Sequence, residues 1–229
     1  MAGVAARRTL HALPPPAAPA LSRSLFGFPS PFASSSSAPA PDRKGTLKKE
    51  GGVWVYREDA LMPYSPAELY SVIADVDSYQ SFLPFTTSSR VLRAAQLAPG
   101  TNERMSRPLQ EKGWLRPGDG ERWEMDGELK IGAMGFEEGY VSLVEMEKSR
   151  WVKATAKDAS MFRHLSTLWS FTPTPSSSPS SPQSRVDLYL SYAFTSPLHA
   201  AAIQSVWDKV SALMVEKFEQ RVRDVHGRR

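Results

Sequence analysis

The residues able to do acid–base, nucleophilic or metal chemistry are few in this sequence, and their spacing argues against all three. There is no cysteine, which removes thiolate nucleophiles, disulfides, iron–sulfur clusters and Cys-based zinc sites. Of the four histidines, His11 lies near the N-terminus and His226 near the C-terminus, so only His164 and His199 fall within the body of the chain. No HxxxH, HxH or His-plus-carboxylate spacing occurs, so no metal site is expected. Each histidine reads as a surface or hydrogen-bonded residue. Asp75 and Asp77 would point apart on a helix, and Asp77 reads better as a helix cap. Glu137 and Glu138 are adjacent on a strand and therefore face opposite sides. There is no GxGxxG, Walker loop or GxSxG. KIGAMGFEEG at 130–139 has two close glycines between strands rather than before a helix, and reads as a turn. General acid–base work would rest on Glu138 and His164, the least poor candidates, and no catalytic residue is assigned.

The elements that would position a site are easier to read. The strand-forming run Val53–Leu61 is followed by Ser65, Pro66 and Glu68, an N-cap, a first helical proline and the acid that closes a capping box. Leu69, Ile73 and Val76 fall on one face of that helix, with Val72 beside it. Asp77 or Ser78 caps a second short helix carrying Tyr79, Phe82 and Leu83, which Pro84 ends. Strands are expected at 85–95, 122–131, 136–146, 151–156, 166–172 and 186–194. Residues 42–52 read as a polar connector before a domain at 53–226. Residues 96–121, poor in apolar side chains and rich in Gly and Pro, read as a long loop excursion. Residues 173–184, PTPSSSPSSPQS, form a low-complexity hairpin loop. From Ser196 a last helix runs to about Val225. Ile203, Val206, Val210, Leu213, Met214, Phe218 and Val222 make a long apolar stripe along it, and Gly227 stops it before a short tail at 227–229.

This order, with hairpin-style connections, predicts an α+β fold: a curved antiparallel sheet around a long C-terminal helix, with two short helices after the first strand. Such a sheet leaves an apolar pocket between itself and the helix. By pattern alone the stripe reads first as core, with the lining of that pocket as the alternative.

Charge places the rest. No acid precedes Asp42, while Arg7, Arg8 and Arg23 do. Without those three, 25 basic residues face 24 acidic ones, so the body has no basic excess and a nucleic-acid partner is not expected. Residues 1–41 combine arginine, serine and alanine without acids, the composition of a mitochondrial transit peptide. The uncharged window 188–207 is broken by serines, Pro197, His199 and Gln204 and does not read as a membrane span.

Several segments together carry a family resemblance: PYSP at 63–66, LYSVIADVDSYQSFLPF at 69–85, KIGAMGFEEGYVS at 130–142, MFRHLSTLWSF at 161–171 and VWDKVSALMVEKFEQR at 206–221. Over roughly Tyr56 to Arg223 the chain resembles the mitochondrial coenzyme-Q-binding START-domain proteins, within the polyketide cyclase/dehydrase, helix-grip group. It departs from them in the length of the 96–121 excursion. It also has Phe85-Thr86 where relatives commonly carry Trp, often with Cys.

The resemblance implies a helix-grip lipid-binding module for ubiquinone, a lipid chaperone or carrier serving respiratory electron transport and quinone biosynthesis. It implies no further cofactor, and a peripheral place on the matrix side of the mitochondrial inner membrane. Quinone-biosynthesis or respiratory-chain proteins are further candidate partners. Cavity-lining residues are then expected at Leu69, Ile73, Val76, Phe82, Leu83, Trp169, Val206, Val210, Leu213 and Met214. Ring contacts are expected from Tyr70, Tyr79 or Ser170, and membrane contact from the apolar tip Met161-Phe162-Arg163. Two other classes stay open: a cyclase- or dehydratase-like enzyme using the same cavity, and an interaction module for quinone-biosynthesis enzymes.

Overall fold

Alternating side chains build one eight-stranded antiparallel sheet. Its strands are β1 (Thr46–Glu50), β2 (Val53–Met62), β3 (Thr86–Gln96), β4 (Arg122–Ala133), β5 (Phe136–Glu147), β6 (Trp151–Ala159), β7 (Phe162–Pro173) and β8 (Ser184–Phe194). The spatial order is β1-β2-β8-β7-β6-β5-β4-β3. The computed structural model describes residues 45–105, 112–133, 136–196 and 213–227. All of these belong to the unit Pro41–Arg229. The expected leader 1–41 and residues 197–212 of the expected last helix, Val206 and Val210 among them, lie outside the described residues.

One face of the sheet is polar and the other apolar, which decides where the core forms. The polar face carries cross-strand ion pairs: Arg90 with Glu128 at 2.6 Å, Arg93 with Asp126 at 3.0 Å, Lys153 with Glu145 at 3.6 Å, and Lys157 with Asp126. Surface pairs of this kind add little stability each, but they mark the solvated side. The opposite phase buries Met125, Val144, Met146, Val152, Phe171 and Val186, and burying each large apolar side chain gains about 1.5–3 kcal/mol. Register shifts interrupt the ladders at Thr86/Ser88, Val91/Arg93, Val141/Ser142 and Phe162/His164. Irregularities of this kind bend strands and sharpen their twist.

Residues 46–50, within the expected connector, form β1. Gly51 and Gly52 both have positive φ, 55° and 86°, the combination a two-residue hairpin turn requires. The turn pairs Thr46–Glu50 with Val53–Arg57. Polar side chains concealed the strand because an edge strand needs only its backbone to pair.

Helix α1 (Pro66–Ile73) has the expected capping box. The Glu68 amide donates to Ser65 Oγ at 3.3 Å, and the Ser65 amide donates to the Glu68 carboxylate at 2.8 Å. Ser65→Ala is expected to cost about 1 kcal/mol, read as a lower denaturant midpoint with unchanged slope. The second short helix is a 3-10 turn, Val76–Ser81, with Asp75 at its N-cap position and no side-chain cap. Asp77 does not cap it: its carboxylate accepts from the Val91 amide at 2.7 Å and ties the turn to β3. A C-terminal helix, α2 (213–226), ends at Gly227, whose φ is +85°. There the Tyr64 hydroxyl donates to the Gly227 carbonyl at 2.7 Å.

The excursion after β3 is anchored in the core. Trp114, in a 3-10 turn at Gly113–Leu115, is buried. Its indole N–H donates to the Ala74 carbonyl at 3.1 Å, and its own carbonyl accepts from the Tyr70 hydroxyl at 3.0 Å. The 173–184 segment joins β7 to β8 as expected, and Thr174 closes its base by donating its amide to the Gln183 carbonyl at 3.0 Å.

Candidate functional site

Helix α2 lies over the apolar face of the sheet with Val215, Phe218 and Val222 buried. Their spacing of three and four residues puts them on one side. Beneath them, β2 contributes Ala60 and Met62, β7 Trp169 and Phe171, β8 Val186 and Leu188, and α1 Leu69 and Ile73. Register explains the grouping: Ala60 pairs with Val186, and Trp169 with Leu188, so all share one phase. Phe218 meets Tyr79, Phe82 and Trp169 edge-on, with ring centroids 5.2, 5.4 and 5.3 Å apart. The space between them is about 20 Å³, room for about one water. It is far below the ~300 Å³ or more of a typical ligand pocket.

Two acids interrupt this wall. Glu58, on β2, and Glu219, on α2, both border the cavity, and each residue is only 6% exposed. The Tyr56 hydroxyl donates to the Glu58 carboxylate, and Arg223 lies 3.8 Å from the Glu219 carboxylate. Neither acid was among the candidates from sequence, yet each had a signal. Glu58 falls on the alternation that continues through Ala60 and Met62, and Glu219 follows Phe218 and precedes Val222 by three. An acid on an apolar phase belongs to no catalytic or metal-binding motif, so motif spacing does not reveal it.

The expected lining residues divide. Leu69, Ile73 and Trp169 border the cavity. Val76, Phe82 and Leu83 pack in the core around the 3-10 turn instead of bordering it. Met214 packs against the same core, and Leu213 is half-buried on α2.

The expected ring contacts are engaged elsewhere. The Tyr70 hydroxyl is committed to Trp114, and the Tyr79 hydroxyl donates to the Ile73 carbonyl. Burial pushes both phenols well above their ordinary range, with Glu121 adding to the shift at Tyr70 and Asp75 at Tyr79, so both remain donors. Ser170 pairs with Asp187 and Trp151 on the opposite phase from Trp169, so alternation directs it away from the cavity.

Phe162 is not a free apolar tip. It stacks on Phe194 with centroids 5.0 Å apart and meets Tyr140 edge-on at 6.3 Å, where burial pushes the Tyr140 phenol up to about 12. Met161 is half-buried and Arg163 exposed beside it. Of the acid–base candidates, His164 bonds Ser191 at 2.8 Å on the phase opposite Trp169. Glu138 accepts from Ser160 Oγ at 2.8 Å. Neither borders the cavity. Among the described residues no group of three or more His, Cys, Asp or Glu is placed to hold a metal. No described helix is long and apolar enough to cross a membrane.

Comparison with known proteins adds three findings. The family model described as polyketide cyclase / dehydrase and lipid transport matches residues 62–219. The chain is 28% identical over 173 residues to the Xenopus laevis mitochondrial coenzyme Q-binding protein COQ10 homolog B, covering 76% of this chain but 59% of that relative. It is 25% identical over 170 residues to the Escherichia coli ribosome association toxin RatA, covering 74% of this chain and 87% of the relative. Among solved structures, an 18 kDa Caulobacter crescentus protein aligns with a TM-score of 0.52 at 20% identity, over 76% of this chain and 99% of the other. That likeness shares the fold: a curved antiparallel sheet closed by a C-terminal helix, the helix grip.

Proposed function

Because the chain belongs to the polyketide cyclase / dehydrase and lipid transport family, we propose that it binds ubiquinone between α2 and the sheet and serves as a lipid chaperone or carrier. On this reading it supports respiratory electron transport and quinone biosynthesis from the matrix side of the mitochondrial inner membrane, delivered there by the 1–41 leader and followed by a lipid-binding domain over 53–226. The observation that carries the reading is the apolar, aromatic wall between α2 and the sheet. The coenzyme-Q-binding name of the Xenopus relative supports the choice of ligand.

The described cavity, about 20 Å³, is smaller than a quinone ring, so on this reading its wall opens as the ring enters. A polyprenyl tail gains little by leaving one apolar host for another. Extraction therefore needs docking at the bilayer, with polar contacts to the ring adding to affinity. Met161 and Arg163, beside the Phe162 stack, are the proposed docking residues.

The test is direct. The protein is purified without detergent from quinone-producing cells, extracted with organic solvent, and its lipids are identified by mass spectrometry. Near-stoichiometric ubiquinone is expected. A different lipid, or none in a folded protein offered membranes, overturns the ligand.

The two wall carboxylates favour a second reading, proton-transfer chemistry on a cyclic or polyketide-like substrate. It requires that a bound molecule leave chemically changed, which the same extraction reads by mass. The ribosome-associated role in the E. coli relative's name is not carried over, because the ion pairs on the outer face of the described strands alternate acid with base.

A further inference from the structure

We propose that the quinone ring lies on a patch of small side chains on β6, Ala154 and Ala156, where the hydroxyls of Tyr140 and Ser142 on β5 hold its oxygens. The inference rests on the quinone reading above. Strand alternation places Tyr140 and Ser142 on the apolar face of the sheet, because they share the phase of the buried Val144 and Met146. Register then sets the patch. Ser142 lies opposite Ala156, and Ala154 lies between Val144 and Thr167. Thr167 precedes Trp169 by two residues, so the patch continues the wall to which Trp169 belongs. Neighbouring positions on this face carry Met146, Val152 and Trp169, whereas the two alanines carry one methyl each and are half-buried.

Both hydroxyls are uncommitted. Tyr70 and Tyr79 donate theirs to backbone carbonyls, whereas no hydrogen bond joins the Tyr140 or Ser142 side chain to another described residue. Ser142 is only 4% exposed. A buried hydroxyl without a partner is destabilising, and a ligand oxygen that meets it removes that penalty. Burial pushes the Tyr140 phenol up to about 12, so it stays protonated at neutral pH. A neutral hydroxyl both donates and accepts. The pair can therefore donate to the carbonyls of the oxidised ring and accept from the hydroxyls of the reduced one. Residues two apart on one strand face stand about 7 Å from each other, close enough for two oxygens of one ring to meet both.

The full-length protein is titrated with decylubiquinone carrying carbon-13 at its carbonyls. Affinity is measured by ultrafiltration and the carbonyl stretch by infrared difference spectroscopy. The bound stretch is expected below its frequency in hexane, the mark of an accepted hydrogen bond. Tyr140→Phe and Ser142→Ala each remove one hydroxyl and little else. Each is expected to weaken binding about two- to tenfold, the range of one neutral hydrogen bond, and to return part of the stretch to its hexane frequency. Ala156→Leu keeps both hydroxyls and fills the patch, and is expected to weaken binding about tenfold or more. Thermal midpoints verify that the variants fold. Unchanged affinity and frequency in both hydroxyl variants overturn the site, as does unchanged affinity in a folded Ala156→Leu, and either result leaves the quinone reading intact. Failure of the unaltered protein to bind decylubiquinone overturns both.

Discussion

Replacing Phe218 by alanine is expected to lower the free energy of unfolding by about 3–5 kcal/mol, the usual cost of deleting a buried aromatic ring. Phe218 is 8% exposed and meets three aromatic rings edge-on, Tyr79, Phe82 and Trp169. Such pairs add ~0.5–1.5 kcal/mol each beyond burial. It also belongs to the cavity wall, so its removal enlarges a space that already exists between rigid strands and a helix. Neighbours held by sheet pairing have little freedom to collapse into the gap, which places the loss at the upper end. Domains are stable by only ~5–15 kcal/mol, so the change consumes a large share. At ~2–4 °C per kcal/mol for a chain of this size, the thermal midpoint should fall by roughly 6–20 °C. Circular dichroism melting measures it, with Phe218→Leu as a milder comparison. A fall of less than a few degrees would mean that α2 does not depend on this ring for its seat on the sheet.

Trp114→Ala is expected to cost a similar ~3–5 kcal/mol and to release the excursion after β3. The indole fills a site against Trp123, with centroids 6.3 Å apart, and its N–H satisfies the Ala74 carbonyl at the end of α1. Truncation leaves that buried acceptor without its donor, a further penalty of ~1–3 kcal/mol where water does not reach it. The Tyr70 hydroxyl, which donates to the Trp114 backbone, then holds a segment with no side-chain anchor. Limited trypsin digestion reads the local effect: cleavage after Lys112, which precedes Gly113, should accelerate many-fold, alongside a lower denaturant midpoint. Cleavage and midpoint both unchanged would mean that the 3-10 turn is held by its backbone and by the Lys112–Asp75 ion pair at 2.8 Å.

These two residues differ in how far the sequence announced them. Phe218 lies on a stripe of regular spacing, so its burial followed from period alone. Trp114 lies among glycines and prolines, where nothing is periodic, and one aromatic in a polar loop does not say what it will dock against. Ring contacts failed for a related reason. A tyrosine hydroxyl takes whichever acceptor the fold brings to it, and for Tyr70 and Tyr79 these were the carbonyls of Trp114 and Ile73. Ser170 is different, because alternation with Trp169 already placed it on the other face.

Legible in the residues alone were the succession of β2 to β8 along the chain, the start of α1 through the Ser65–Glu68 box, the stop at Gly227, and the apolar stripe through Phe218 and Val222. All of these arise from interactions within a few residues: caps, φ preferences, and the periods of strand and helix. Long-range packing set the pairing of β1 along a polar edge and the docking of Trp114 in the core beside α1. It alone joined Glu58 and Glu219 in one apolar wall 161 positions apart in the chain. The physical reason is that burial and charge environment belong to packed neighbours. Neighbours brought together by sheet order, β2 beside β8 beneath a helix from the far end of the chain, leave no trace in local spacing.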